Sequence, residues 1–287
     1  MNVNITAEAI ALLEGAYDLH THTIPSHVPR ALDDMELLQE AAQYNMAGVL
    51  IKNHYEPTSA RAALVNRLAN LPNTKAYGGV VLNHPVGGLN PYAAESALKM
   101  GASIVWMPTR DAANCLISGD MPGDFFKRPG ISVLDEADRL LPVVYDLMDV
   151  VKKYNACLAT GHVSTKESLL LCKQGCARGV KMIFTHPEWE RTTASGEAQC
   201  IVADYGAKVE KNWYNIAEKN CSPAQMISNI RQVGCHRVYL ATDRGQAGAE
   251  RPVAAMARFV QLLLENGFKS SEIQDMIIKV PKELVCG

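Results

Sequence analysis

Residues 16–22 read Ala16-Tyr17-Asp18-Leu19-His20-Thr21-His22, and this stretch decides the fold. It has the look of a short buried strand, yet it ends in two histidines. The first strand of an open, doubly wound sheet would instead run into a glycine-rich phosphate loop. Side chains alternate faces along an extended segment, so His20 and His22 point the same way and can grip one ion. A chance pair of core or surface histidines explains the pair equally well when it is taken alone.

Outward from it, strand and helix patterns alternate without a break in composition. Strands are expected at 16–20, 48–53, 76–82, 103–108, 156–160, 181–185, 207–211 and 237–242. Helices are expected at 34–44, 59–71, 91–100, 142–154, 165–176, 197–205, 223–233 and 252–266. Asp33 or Asp34, Ser59, Thr165 and Ser222 ahead of Pro223 supply N-terminal caps. Eight strands alternating with eight helices predict an α/β protein with a closed (β/α)8 TIM barrel, one domain over 1–287. The exception to short connections is the loop insertion at 110–141 after strand 4. Gly119, Pro122, Gly123, Pro129 and Gly130 make most of it irregular, and 131–134 with 139–141 can form a small hairpin. On the catalytic face such a loop would be a lid or a partner contact.

Three later strands also end in chemistry: Thr160-Gly161-His162, Thr185-His186-Pro187 and Ala241-Thr242-Asp243. His54 follows strand 2, His84 follows strand 3 and His27 lies in the first loop, whereas His236 precedes its strand. Seven of the eight histidines therefore fall at the C-terminal face, where barrel enzymes keep their active sites, and one shared site is the economical explanation.

The 287 residues are 48% hydrophobic, enough for a large core, and the net charge of −2 gives no reason to expect nucleic acid or an anionic membrane as partner. The start of the chain has no basic region, and its apolar run Ala9-Ile10-Ala11-Leu12-Leu13 is too brief for a signal or a span. A cytoplasmic enzyme acting on a small-molecule substrate is the expectation, with homo-oligomerisation left open. Eight scattered cysteines read as reduced, mostly buried thiols; Cys172 and Cys176, four apart in a helix, have no second pair to make a metal site.

The order His-x-His on strand 1, His after strand 5, His after strand 6 and Asp after strand 8 resembles the amidohydrolase superfamily of metal-dependent barrel enzymes, over nearly the whole chain. Ala159-Thr-Gly-His-Val-Ser164, Phe184-Thr-His-Pro-Glu-Trp189 and Leu240-Ala-Thr-Asp-Arg244 are similar to its predicted metal-dependent hydrolase branches. The resemblance implies His20 and His22 as metal ligands and His162 and His186 as ligands or a proton-shuttling pair. It implies Asp243 as a ligand that also takes the proton from a metal-activated water, with hydrolysis of an amide, cyclic amide, lactone or ester. The imidazole-rich set favours Zn²⁺, with Mn²⁺ or another first-row ion next. One departure bears on the count. Binuclear members bridge their ions with a carboxylated lysine or a glutamate on strand 4, and Ile104-Val-Trp-Met-Pro-Thr109 offers neither. That favours one ion, while a carbamylated Lys52 would permit two, and Glu210 is a further stand-in.

Around this set the residues keep two readings each. Lys52 binds an anionic substrate group, bridges metals, or pairs with Glu210 or Asp18; Asp18 orients a ligand histidine or belongs to the strand's lower end. Arg110 and Arg244 directly follow strands 4 and 8 and suggest a carboxylate-bearing substrate, with surface ion pairs as the alternative. With His54 and Glu210 they form the expected substrate-binding group. Trp106, Trp189 and Trp213 are pocket wall or packing, and His84 is a ligand or an incidental imidazole in a turn. Competing functions are decarboxylation within the same superfamily, phosphoester hydrolysis of the histidinol-phosphatase type, and a non-catalytic metal-binding barrel.

Overall fold

The computed structural model describes residues 5–286. Its strands are β1 Tyr17–Thr21, β2 Gly48–Ile51, β3 Lys75–Val81, β4 Ala102–Trp106, β5 Cys157–Ala159, β6 Lys181–Phe184, β7 Lys208–Asn212 and β8 Val238–Ala241. All pair in parallel in chain order. The ring is completed where β8 runs into β1: the Asp243 N–H donates to the His20 carbonyl and the His22 N–H to the Arg244 carbonyl, each at 2.8 Å. The barrel helices are α1 Asp34–Gln43, α2 Ser59–Ala69, α3 Pro91–Lys99, α4 Pro142–Lys153, α5 Thr165–Ala177, α6 Gly196–Asp204, α7 Pro223–Val233 and α8 Pro252–Glu265. The architecture expected from the sequence is the architecture found.

Local chemistry explains the helix starts. Asp33 with Glu36 and Ser164 with Glu167 form complete capping boxes, each satisfying two backbone N–H groups. α3, α4, α7 and α8 open with proline, which lacks the donor that the first turn would leave unpaired.

Apolar burial divides into two layers. One lies between sheet and helices, and the other fills the barrel with Tyr17, Leu19, Leu50, Tyr77, Ile104, Trp106, Ile183 and Tyr239. Val280 and Leu284 join the inner layer from a helical C-terminal segment that the sequence pattern did not single out. This segment closes the end where strands begin: Cys286 lies against the hydroxyls of Tyr77 and Tyr17, at 3.1 and 3.8 Å. Chemistry is therefore left to the opposite end.

Pairing of β1 with β2 shifts register between Asp18 and Thr21. Strict alternation would put Leu19 and His20 on opposite faces, yet Leu19 belongs to the inner cluster and the His20 ring stands 6.2 Å from Trp106 in that same cluster. Such irregularities re-aim side chains beside functional sites.

The 110–141 segment holds a short helix, Ala113–Ile117, that was not expected. The expected small hairpin reduces to one antiparallel bridge, Leu134 with Leu140, and a 2.9 Å bond from the Leu141 N–H to the Val133 carbonyl. Arg128 ties the loop together through Asp111 and Asp124, both buried. Among the described residues no helix is long and apolar enough to cross a membrane.

Candidate active site

His20 is completely buried, and its tautomer follows from its neighbours. Its Nδ1 lies 2.8 Å from Glu210 Oε1. Glu210 is a committed acceptor: its carboxylate also receives the Tyr239 hydroxyl at 3.0 Å and the His186 N–H at 3.1 Å. Burial alone would raise the Glu210 carboxyl, but the hydrogen bond from His20 and the Lys52 charge hold it below its ordinary value. The proton of His20 is thus on Nδ1, and the bare Nε2 faces Lys52 Nζ at 2.9 Å and Asp243 Oδ1 at 3.3 Å.

His22 repeats the arrangement. Its Nδ1 is 3.0 Å from the Lys52 carbonyl, which can only accept, so Nε2 is again unprotonated, 3.0 Å from Asp243 Oδ1. Burial, then the nearby Arg30 charge, pushes the His22 imidazole well below its usual range and keeps it neutral. The donor atoms of His20, His22 and Asp243 all lie within 4.8 Å of one another. Two oriented imidazole nitrogens and one carboxylate oxygen, each backed by a second hydrogen bond or by the chain itself, fit a divalent cation.

Three further histidines complete a ring around this trio. Ring centroids are 5.1 Å apart for His22 and His54, 5.8 Å for His54 and His162, 4.9 Å for His162 and His186, and 5.7 Å for His186 and His20. Burial depresses the pKa of His54 and His162 well below normal and takes His186 to about 4. His162 and His186 share the cavity with the trio, but among the described residues only His20, His22 and Asp243 form a group with metal-ligand spacing. His54 is fixed by Thr109, with 2.8 Å between Nδ1 and Oγ1. His27 stacks on Tyr55 at 3.7 Å and His84 turns to the Pro129 carbonyl at 2.9 Å, so neither joins the ring.

The cavity above the trio has a volume of about 100 Å³. Lys52, Arg110, His54 and Trp189 line it as the sequence suggested. Burial lowers the Lys52 amine to about 8, and its Nζ also lies 5.4 Å from the Trp106 ring centre. Two expected substrate contacts are placed elsewhere. Arg244 is turned away to Glu218 at 2.7 Å and stands over the Tyr214 ring, because Glu218 before β8 and Glu250 after it, at 3.8 Å, outcompete the cavity for its guanidinium. Glu210, with no exposure, holds His20 from behind and does not face the cavity. Asp18 does not touch a ligand ring: it accepts the N–H of Thr242 at 3.0 Å and of His20 at 3.3 Å and so ties β1 to β8. Trp213 packs on Phe259 outside the barrel. Arg30, Met121, Tyr214 and Gln246 also line the cavity and were not foreseen. Arg30 comes eight positions after His22 in a loop without periodicity, and no pattern in the chain marks it.

A protein-family model described as a family of unknown function, DUF6282, matches residues 15–210, more than half of the chain. No curated protein matches. Among solved structures the chain is similar to an amidohydrolase from Pseudomonas aeruginosa, with a TM-score of 0.66, 13% identity and coverage of 98% of this chain and 99% of that one. It is also similar to an organophosphorus hydrolase from Deinococcus radiodurans, with a TM-score of 0.62, 10% identity and coverage of 99% and 98%. At such identities the likeness establishes the shared barrel fold.

Proposed function

We propose that this chain, which belongs to the DUF6282 family, is a metal-dependent hydrolase that cleaves an amide, cyclic amide, lactone or ester bond of a small carboxylate-bearing molecule in the cytoplasm. One observation carries the reading. The Nε2 atoms of His22 and His20 lie 3.0 and 3.3 Å from one Asp243 oxygen, while the His22 Nδ1 is turned to the Lys52 carbonyl at 3.0 Å. Two imidazole nitrogens and a carboxylate oxygen gathered in a buried place suit a divalent cation.

His20, His22 and Asp243 would hold the ion, with Zn²⁺ the first choice for an imidazole-rich set and Mn²⁺ the second. When bound, the ion would supply Lewis acidity at neutral pH. The chain's own groups do the rest. Asp243, beside both imidazole nitrogens, accepts the proton of the attacking water and returns it to the leaving group. His162 and His186, kept neutral by burial, face the reacting carbonyl as hydrogen-bond donors for the developing oxyanion. Trp189, 4.6 Å from His162, forms an apolar wall that limits water. Lys52 stands close enough to His20 to share the ion as a neutral amine or a carbamate, and Arg110 faces the substrate's anionic group.

The test is metal analysis of protein purified without chelators and with metal supplied, together with a hydrolysis screen. Stoichiometric metal, lost in His22→Ala, is expected. Absence of metal would remove the reading. In the same experiment Lys52→Ala lowers metal content if the lysine bridges ions and leaves it intact if the lysine binds substrate. Decarboxylation is the second reading, favoured by the cationic Lys52 and Arg110 beside the trio, and carbon dioxide release separates it from hydrolysis.

A further inference from the structure

Two guanidinium groups line the cavity, and only one of them is matched by an acid. Arg110 donates to the Pro122 carbonyl at 2.7 Å and to Asp124 at 3.0 Å, so its charge is largely neutralised. Arg30 makes no side-chain hydrogen bond and no ion pair among the described residues, and its Nε is buried without an acceptor. The Nε of Arg110 is equally buried and unpartnered.

The backbone holds Arg30 firmly in this place. It pairs antiparallel with Gln246, and the next residue, Ala31, donates to the Gly245 carbonyl at 2.9 Å. The loops after β1 and β8 therefore fix where the side chain starts, beside the trio formed by those same strand ends. Arg30 and Arg110 line the same cavity, and burial, then the Arg110 charge, lower the Arg30 guanidinium to about 10. Like charges are kept this close when an anion sits between them.

We propose that Arg30 and Arg110 form a carboxylate clamp, and that Arg30 selects substrates carrying a free carboxylate next to the bond cleaved at the trio. This rests on the hydrolase reading for the word substrate and on nothing else in it. The charge count favours a carboxylate over a phosphate. Arg110 and Arg128 are balanced by Asp111 and Asp124, and Lys52 by Asp243, so about one positive charge, that of Arg30, is left for a singly charged group. The planar fork of Arg30 can meet both oxygens of a carboxylate at once.

Titration calorimetry on metal-stripped protein tests the clamp apart from turnover, with acetate, succinate, benzoate and citrate as probes beside succinamide and inorganic phosphate. Wild-type protein is expected to bind at least one carboxylate and not succinamide. Arg30→Gln should weaken that binding roughly ten- to hundredfold, and Arg30→Lys should recover part of it. Slower phenylglyoxal modification of Arg30 in wild-type protein when the carboxylate is present gives a readout that needs no variant. Equal binding by wild type and Arg30→Gln, no binding of any carboxylate, or tighter binding of phosphate than of every carboxylate would each overturn the proposal. Carboxylate binding through Arg30 in a protein that holds no metal would keep the clamp and remove the hydrolase reading. Turnover by a metal-loaded protein without carboxylate binding would do the reverse.

Discussion

Asp243 and His186 both adopt positive φ, 51° and 21°, in a conformation that non-glycine residues visit at a cost of about 1–3 kcal/mol. The cost is met where strand meets loop, so that both side chains turn into the cavity. For Asp243 the consequence is testable. Asp243→Asn keeps the shape and an oxygen able to touch an ion but removes the base, and turnover on the substrate found by screening should fall about 10²- to 10⁴-fold. Circular dichroism and most of the metal content should persist in the same sample. Near-normal turnover in a folded, metal-loaded variant would place the base elsewhere. At this scale His20, His22 and Asp243 were legible because ligand residues at strand ends stand out against apolar strands. Arg30 and Gln246 were not, since nothing local distinguishes a loop cation that reaches a cavity from one that reaches solvent.

The elements owe their positions to close backbone contacts at the rim. Gly245 has φ 125°, and a Cβ there would lie 1.7 Å from the His22 carbonyl oxygen, beside the bond that joins β8 to β1. Gly245→Ala should therefore lose about 2–4 kcal/mol in chemical denaturation, combining conformational strain with a clash against immobile backbone, and should lower metal content by moving His22. Gly248→Ala is the control: φ is 79° there but nothing lies within 4 Å of the added methyl, so only about 1 kcal/mol of strain should appear. If the two variants match, rim packing does not position His22. Strands and barrel helices were readable from period and caps, and their observed bounds agree with the expected ones within a few residues. The helix Ala113–Ile117 was missed because it has too few turns to show a period, and the C-terminal segment because its π turn at Asp275–Lys279 breaks the 3.6 period between Ser270–Gln274 and Val280–Cys286.

For the whole molecule, the buried imidazoles set the response to acid. His22, His54, His162 and His186 are neutral when folded, with pKa values below that of an exposed histidine, and His186 is lowered to about 4. Below about 6.5 the unfolded chain binds protons that the folded chain refuses, so this part of the stability is present above about 6.5 and is lost as pH falls toward about 4. Asp18 acts the other way: burial raises it to about 7, so its contribution grows as pH falls from about 7 to about 4. Four imidazoles against one carboxyl leave the net loss on the acid side. Denaturation of metal-free protein at about pH 7 and about pH 5 should show lower stability at the lower value, with a smaller difference in His186→Gln. A flat profile would mean that the ring of imidazoles is not held neutral.

What the sequence determined by itself was the barrel and the end of it where His20, His22 and Asp243 gather, because the alternation of strand and helix and the punctuation of strand ends are local patterns that one chain displays openly. Tertiary structure alone decided which side chains meet. The register shift in β1 brings Leu19 and His20 to the same interior, Glu210 is drawn behind His20, and Glu218 from the connection after β7 pulls Arg244 outward while Arg30 is left facing the cavity. Each of these outcomes is a competition among partners distant in the chain, and such a competition has no period to read.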